Sequence, residues 1–217
     1  MERVICLLIG YVCGLFQTGY IIGKINHVDI RKKGSGNSGS TNMLRVMGWK
    51  AGFLTFAGDV LKCVLAVCLA RYLFRDSGCV PLLAMYAGLG ATLGHNYPFY
   101  LKFKGGKGIA VLAGLVVSIH PGLVPIPLAA FLIAVLLTRY VSVGSLLAAT
   151  MFFMELVGYG VMGGFPMEGA SKIELYVLGF IIMALAWYRH RENIKRLMAG
   201  TESRLGSKSK ESDTDKK

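Results

Sequence analysis

The sequence predicts an all-α integral membrane protein with seven transmembrane helices, and three observations support that fold class. The 217 residues are 54% hydrophobic and 17% charged, with a mean hydropathy of +0.54, which is more apolar than a soluble domain of this length needs to be. Seven apolar segments follow one another along the chain. Most basic residues lie in loops on one face of the predicted bundle. These observations argue against a soluble globular enzyme.

Each predicted span is an apolar run bounded by polar or glycine-rich sequence, and a helix needs roughly 20 such residues to cross the hydrocarbon core. In chain order the spans are residues 4–25, 51–74, 80–94, 109–119, 123–138, 142–162 and 175–188. The first follows Arg3, but it is long and leads into a basic loop without the small-residue cleavage pattern of a signal peptide. The second contains Asp59 and Lys62, and Arg139 separates the fifth from the sixth.

The fourth segment is shorter than the others. Its eleven residues rise only about 16 Å as a helix, about half of a hydrocarbon core that is roughly 30 Å thick. The segment must therefore tilt, continue into the glycines before it, or form a shallow hairpin with the fifth segment. We expect a short helix pair in the middle of the chain.

The distribution of basic residues predicts the orientation. The chain has 24 Lys and Arg against 12 Asp and Glu, which gives a net charge of +12. Nineteen of the basic residues lie at 24–50, 102–107, 139 and 189–217, whereas Arg3, Arg71, Arg75 and Lys172 lie on the opposite face. The positive-inside rule makes the first face cytoplasmic, with the N-terminus outside and the C-terminus inside. Nucleic acid is not an expected partner, because no basic stretch is interleaved with aromatic residues.

The sequence predicts a single membrane-embedded domain over residues 1–202. Residues 203–217 form a short polar tail of mixed charge, which is expected to be disordered and cytoplasmic. No internal repeat is evident, so a transporter built from two related halves gains no support. The five cysteines form no CxxC pair, and we expect neither disulfides nor a metal site.

The first polar cluster follows the first span. Residues 34–42 read GSGNSGSTN, and Arg45 follows them. Glycines alternating with Ser, Asn and Thr allow positive φ angles and aim N–H groups at one anion. A flexible linker is the alternative, although a linker needs neither two asparagines nor the following arginine, and no Walker loop is present. The candidate ligand-binding residues are Ser35, Asn37, Gly39, Thr41, Asn42 and Arg45.

The second cluster covers residues 94–108. Lys104 and Lys107 flank Gly105 and Gly106 just before an apolar helix, so open backbone amides, a helix N-terminus and two ammonium groups are expected to meet at one anion site. A basic membrane anchor would explain the lysines but not the glycines. His95 is either a proton carrier or a structural hydrogen-bonding group.

Two further clusters lie on the same predicted face. Arg139 and Ser142 stand between the fifth and sixth spans, where Arg139 is either a ligand or a snorkelling anchor. His190, Asn193 and Arg196 have the spacing of one helix face beyond the last span, although a basic flank of the membrane is the alternative. Asp59 and Lys62 are three residues apart within the second span and are expected to pair with each other. Whether that pair is structural or contacts substrate stays open.

At these motifs the sequence resembles the bacterial acyl-phosphate:glycerol-3-phosphate acyltransferase family. The resemblance covers residues 4 to about 202, and its motifs are residues 34–42, GHNYP at 94–98 with FKGGKG at 103–108, and HRENIKR at 190–196. One departure is Cys63, where the family is expected to have glycine. The resemblance implies a seven-helix enzyme of the inner membrane that transfers a fatty acyl group from acyl phosphate to glycerol 3-phosphate. The implied products are lysophosphatidate and phosphate, in the first acylation of phospholipid synthesis.

With these two substrates, the candidate residues lead to a hypothesis for the mechanism. Ser35, Asn37 and Arg45, with the face formed by His190, Asn193 and Arg196, would hold glycerol 3-phosphate. Lys104, Gly105, Gly106, Lys107 and Ser142 would hold the head group of acyl phosphate. The candidate catalytic residues are Ser35, His95, Lys104, Ser142, His190 and Asn193. The remaining substrate-binding candidates are Gly39, Thr41, Asn42 and Arg139, with Asp59 and Lys62 in support.

The alternatives belong to other classes of protein. A transporter of phosphorylated metabolites would fit seven spans and a basic face, but the opposite face has almost no polar cluster for release. A membrane scaffold would tolerate alanine at Ser35, Asn37 and Asn193 together. No histidine is followed by Asp in the His-x-x-x-x-Asp pattern of the other large class of glycerolipid acyltransferases. The expected partners are the two substrates, membrane lipid and the enzyme that supplies acyl phosphate, without a cofactor.

Overall fold

The apolar segments of the described part of the chain are mostly helical. The computed structural model describes residues 1–206, so the predicted tail from residue 207 onward lies outside the described residues. Over residues 1–206 the α-helices are α1 (Glu2–Gly14), α2 (Thr18–Ile25), α3 (Ser40–Met47), α4 (Trp49–Leu73), α5 (Val80–Asn96), α6 (Ile109–Ile119), α7 (Pro125–Thr138), α8 (Val141–Val161), α9 (Gly169–Arg189) and α10 (Arg191–Met198). Pro81 and Pro125 stand at the first turns of their helices, where a missing N–H breaks no helical hydrogen bond.

Five segments of the described residues 1–206 are long and apolar enough to cross a membrane. They are Glu2–Ile25, Trp49–Leu73, Pro121–Thr138, Val141–Val161 and Gly169–Arg189. The other two predicted spans correspond to the shorter helices α5 and α6. Large apolar side chains lie exposed on the outer helices, as Leu136 and Leu137 of α7 do at 78% and 80% of their surface. Such faces are unfavourable in water and suited to lipid.

The first predicted span, residues 4–25, is interrupted rather than continuous. α1 ends at Gly14 and α2 begins at Thr18. The Phe16 carbonyl at this break accepts a hydrogen bond from Lys62 Nζ at 2.7 Å, and the Gln17 side-chain amide donates to the carbonyls of Gly14, Gly94 and His95. Lys62 belongs to α4, and Gly94 and His95 belong to α5, so tertiary contacts satisfy the Phe16 carbonyl and tie Gln17 to α5.

Helix α5 lies at the centre of the bundle and packs against α1, α4, α6 and α9. Its contact with α1 depends on small residues. A Cβ atom at Gly10 would lie 2.0 Å from the Ala87 carbonyl oxygen, and one at Gly90 would lie 2.1 Å from the Leu7 carbonyl oxygen. Glycines at these positions let the two backbones approach closely, as membrane helices commonly do.

The short helices in the middle of the chain pack on different partners. α6 lies mainly against α4 and α5, whereas α7 lies mainly against α8. A 3-10 turn at Pro121–Leu123 joins them. α6 therefore begins inside the bundle, and the loop that precedes it is held close to α5.

Candidate active site

The loop between α5 and α6 is anchored to the end of α5. The N–H groups of Gly105 and Gly106 donate to the carbonyls of Asn96 and His95, both at 3.1 Å. A Cβ atom at Gly105 would lie 2.0 Å from the His95 carbonyl oxygen, and one at Gly106 would lie 2.0 Å from His95 Nε2. The expectation that these two amides are open for an anion is therefore wrong. The glycines are needed because the loop packs directly on His95.

Open amides occur one residue further on. Within residues 1–206 no acceptor receives the N–H of Lys107 or Gly108, and α6 begins immediately afterwards. Gly108 has a φ of +85°, a left-handed conformation that favours glycine. Unpaired amides at the start of a helix form a site suited to an anion.

Side chains from α8, α10 and the segment after α10 meet at Lys107. The Lys107 ammonium donates to Asn193 Oδ1, and Asn193 Nδ2 donates to Glu202 Oε1 at 2.6 Å. Ser142 Oγ donates to the same Glu202 oxygen at 2.9 Å, and Arg196 Nε donates to Oε2 at 2.7 Å. Three predicted clusters thus converge on one hydrogen-bonded network.

The network carries an excess of positive charge. The pKa of Lys107 is lowered to about 8, mainly by burial; the charge of Glu202 opposes this shift, and the charges of Arg196, Arg189 and Arg45 contribute to it. Burial alone would raise the pKa of Glu202, but hydrogen bonds from Asn193, Arg196 and Ser142 hold it below its usual value. Three arginines and one carboxylate thus act electrostatically on the Lys107 ammonium, and this excess of positive charge would attract a second anion.

His190 is buried beside this network. Its Nδ1 donates to the Ala186 carbonyl at 2.7 Å, which leaves Nε2 as the unprotonated nitrogen of the neutral ring. Burial lowers the pKa of His190 to about 4, and the charge of Lys107 adds to the effect. The ring is therefore neutral near pH 7 and can accept a proton at Nε2.

The first predicted loop is organised by its own asparagines. Asn42 accepts from the Ser35 amide at 2.8 Å and donates to the carbonyls of Lys33 and Asn37, and Asn37 accepts from the Gly39 amide at 2.8 Å. Asn42 therefore holds the backbone of this loop in place. Ser35 lies exposed on it. Arg45 lies half-buried on α3, and within residues 1–206 it has no hydrogen-bond or ion-pair partner.

Four further predicted residues also lie outside the Lys107 network. Lys104 is exposed, and its side chain makes no hydrogen bond or ion pair with the described residues. Arg139 and Leu205 are joined by two hydrogen bonds. The Leu205 N–H donates to the Arg139 carbonyl at 2.7 Å, and Arg139 Nη2 donates to the Leu205 carbonyl at 3.0 Å. Thr41 lines an apolar groove. Gly39 begins α3.

A buried polar network lies beneath the site. Lys62 Nζ contacts Asp59 Oδ1 and His95 Nδ1, both at 2.8 Å. All three side chains are at most 5% exposed. Because the His95 ring lies directly under Gly106, this network supports the loop that carries Lys107.

Two residues of the site were not among the sequence candidates. Arg189 donates to the carbonyls of Gly105 and Gly106, and Glu202 joins Ser142, Asn193 and Arg196. In the sequence Arg189 is one basic residue of a cytoplasmic flank and Glu202 ends a polar stretch. Only their position beside His190 and Asn193 could have indicated them.

An apolar groove of about 390 Å³ lies between α3–α4 and α7–α8, a size in the range of small-molecule pockets. Ser40 and Thr41 are the polar residues of its lining, and Val141, which precedes Ser142 in the chain, also lines it. The rest of its lining consists of Leu44, Trp49, Gly52, Phe53, Phe56, Phe131, Val135 and Leu205. The groove can hold an alkyl chain whose head group lies near Ser142.

Comparison with known proteins gives consistent results. The model of the glycerol-3-phosphate acyltransferase family matches residues 4–200. The glycerol-3-phosphate acyltransferase of Thermoanaerobacter pseudethanolicus is 41% identical over 209 residues, which cover 96% of this chain and 98% of that protein. The protein of the same name from Clostridioides difficile is 42% identical over 207 residues, covering 94% and 96%.

Solved structures agree with the sequence matches. The crystal structure of PlsY (YgiH), an integral membrane glycerol 3-phosphate acyltransferase, in its glycerol 3-phosphate form has a TM-score of 0.82 and 35% identity, and the match covers 95% of this chain and 96% of that one. Its lysophosphatidic acid form has a TM-score of 0.79 with the same identity and coverage.

Proposed function

The chain belongs to the glycerol-3-phosphate acyltransferase family of integral membrane enzymes, and on that premise we propose that acyl phosphate is its acyl donor. The C1 hydroxyl oxygen of sn-glycerol 3-phosphate attacks the acyl carbonyl carbon, and a carbon–oxygen ester bond forms. The bond from that carbon to the phosphate oxygen breaks, and inorganic phosphate leaves with the electron pair. The products are lysophosphatidate and phosphate.

The observation that carries this proposal is the cationic network around Lys107. Both substrates are phosphate anions, and Lys107, Arg45 and Arg196 provide the charge that would hold them. Arg45, Ser35 and Asn37 with the His190–Asn193–Arg196 face are assigned to glycerol 3-phosphate. Lys104, Lys107 and Ser142, with the loop glycines, are assigned to the acyl phosphate head group.

Positioning supplies most of the catalysis in this proposal. Acyl phosphate is a mixed anhydride with a good leaving group, so alignment and charge neutralisation lower the barrier without a strong base. His190 Nε2 can take the hydroxyl proton, as can a phosphate oxygen of the substrate. His95 instead supports the loop, because its ring lies under Gly106 and faces Lys62.

The apolar groove beside the network would hold the acyl chain. Its lining includes Val141, the residue before Ser142, and Phe131 and Val135 of α7, a helix that also carries lipid-suited exposed leucines. This arrangement would let acyl phosphate enter from the membrane while its head group reaches Lys107.

The topology belongs to the same proposal. Seven crossings, with α5 and α6 added to the five long segments, would place the N-terminus outside and the network at the cytoplasmic side of the inner membrane. The hydrogen bonds of Lys107, Asn193 and Ser142 require their loops to share one side. Reporter fusions after residues 75 and 206 should therefore give opposite orientations. The chain would then act in the first acylation of phospholipid synthesis, as one domain over residues 1–202.

The test of the donor is a direct assay. Purified protein is incubated with glycerol 3-phosphate and either palmitoyl phosphate or palmitoyl-CoA, and lysophosphatidate and inorganic phosphate are measured. Equal amounts of both products from palmitoyl phosphate alone are expected. Lysophosphatidate from the thioester alone would overturn the donor assignment but not the acyltransferase family.

A further inference from the structure

We propose that Arg189 is a positioning residue that aims the anion-binding amide of the loop between α5 and α6. Arg189 is the last residue of α9, and neither the family motifs nor the proposed chemistry gives it a role. The proposal rests on the proposed function for the identity of the substrate, but not for the presence of an anion site.

The geometry is specific. Nη2 of Arg189 donates to the Gly105 carbonyl at 2.9 Å and to the Gly106 carbonyl at 2.8 Å, and Nε donates to the Gly106 carbonyl at 3.1 Å. The guanidinium also lies 5.2 Å from the centre of the Tyr97 ring. One side chain therefore holds two successive carbonyls, which is the kind of contact that the planar arginine fork makes well.

These carbonyls determine where the neighbouring amides point. A trans peptide is planar, so its N–H points away from its C=O. The Gly105 carbonyl shares a peptide with the Gly106 N–H, which donates to His95. The Gly106 carbonyl shares a peptide with the Lys107 N–H, which has no acceptor within residues 1–206. By holding the Gly106 carbonyl, Arg189 directs the Lys107 amide away from itself.

The charge of Arg189 contributes as well. A cation at the carbonyl side of a peptide polarises the group and makes its N–H a better donor. It also neutralises two carbonyl oxygens that would otherwise repel an anion near Lys107. Arg189 thus acts through the Gly106–Lys107 peptide and needs no contact with the substrate.

Replacement of Arg189 separates this role from general stability. In the purified full-length protein, Arg189→Gln should raise the KM for acyl phosphate about tenfold, as expected when a charge-assisted contact to the loop is lost. The inhibition constant of inorganic phosphate should rise in parallel, while kcat changes less than threefold. Arg189→Lys should be intermediate, because one ammonium cannot hold both carbonyls in fork geometry. Arg191→Gln is the matched control, since Arg191 is the exposed next residue, and among residues 1–206 its hydrogen-bond, ring and ion-pair partners are Tyr188 and Glu192.

A second readout does not depend on the donor. Inorganic phosphate should raise the Tm of the wild-type protein and of Arg191→Gln, and the rise should be smaller for Arg189→Gln. If Arg189→Gln has the same KM and the same phosphate binding as the wild-type protein, the positioning role is overturned. A fall in kcat without a rise in KM would overturn it as well. If Arg189→Gln does not fold, Arg189→Lys decides by the same criteria. A wild-type protein that binds phosphate but does not use palmitoyl phosphate would contradict the proposed donor and leave this test intact.

Discussion

The Lys107 ammonium donates a hydrogen bond to the side-chain oxygen of Asn193, which lies 86 residues further along the chain. The bond joins the loop before α6 to α10. Because burial lowers the pKa of Lys107 to about 8, the lysine loses its charge as the pH rises through that value. The KM for acyl phosphate should therefore be nearly constant up to about pH 7 and rise steadily as the pH passes through 8.

Lys107→Arg tests this assignment, since arginine stays charged at every pH used. The alkaline rise in KM should be absent from Lys107→Arg and present in Lys104→Arg, which alters the exposed lysine of the same loop. Steady-state kinetics from pH 7 to 9.5 measure the effect. An alkaline rise that persists in Lys107→Arg would assign it to another group.

Lys104 is predicted to contact the substrate although the structure shows it exposed and without a partner among residues 1–206. Lys104→Ala should abolish turnover and leave expression and membrane insertion unchanged. Lys102→Ala is the matched control, because Lys102 is exposed two residues earlier and has no proposed role. Wild-type turnover by Lys104→Ala would remove this lysine from the site.

His190 is predicted to act as a neutral base. Its replacement by alanine should lower kcat by about 10²-fold or more. Because the pKa of His190 is lowered to about 4, the wild-type ring is neutral from pH 6 to 8, and the ratio of wild-type to variant kcat should be flat over that range. A ratio that shrinks below pH 6.5 would indicate an imidazole with an ordinary pKa. His27→Asn, at an exposed residue with positive φ, controls for loss of a histidine.

The sequence predicted the helical segments well because the bilayer imposes their length and apolarity. It did not predict the break at residues 15–17, which contains no proline. The break is stabilised by contacts with other helices, because Lys62 donates to the Phe16 carbonyl and Gln17 donates to the Gly94 carbonyl. The composition of the loop at 104–108 indicated an anion site. The reason given for Gly105 and Gly106 was wrong, since their packing on His95 depends on the end of α5 and not on local sequence.

Glu202 is predicted to hold the network together. Glu202→Gln removes the charge of the carboxylate that accepts hydrogen bonds from Ser142, Asn193 and Arg196. Such a loss at a largely buried side chain typically lowers the free energy of unfolding by about 1–3 kcal/mol. The pKa of Glu202 is held below its ordinary value of 4.5, so its stabilising effect is present above pH 4.5 and is lost as the pH falls through the folded pKa. Denaturant unfolding should show the full difference from wild type at pH 7 and a smaller one at pH 3.5. An equal difference at both values would exclude the charge as its cause.

The groove between α4 and α7 leads to a final prediction about acyl chain length. Val135 lines the groove, whereas its neighbour Leu136 points outward with 78% of its surface exposed. Val135→Phe adds bulk inside the groove, so kcat/KM should fall about tenfold for palmitoyl phosphate and little for octanoyl phosphate, because only the longer chain passes the substituted position. Leu136→Phe adds bulk on the same helix outside the groove and should leave the ratio between the two donors unchanged. Equal losses for both chain lengths in Val135→Phe would mean that the acyl chain lies elsewhere, and a shift of the ratio in Leu136→Phe would place it on the outer face of α7.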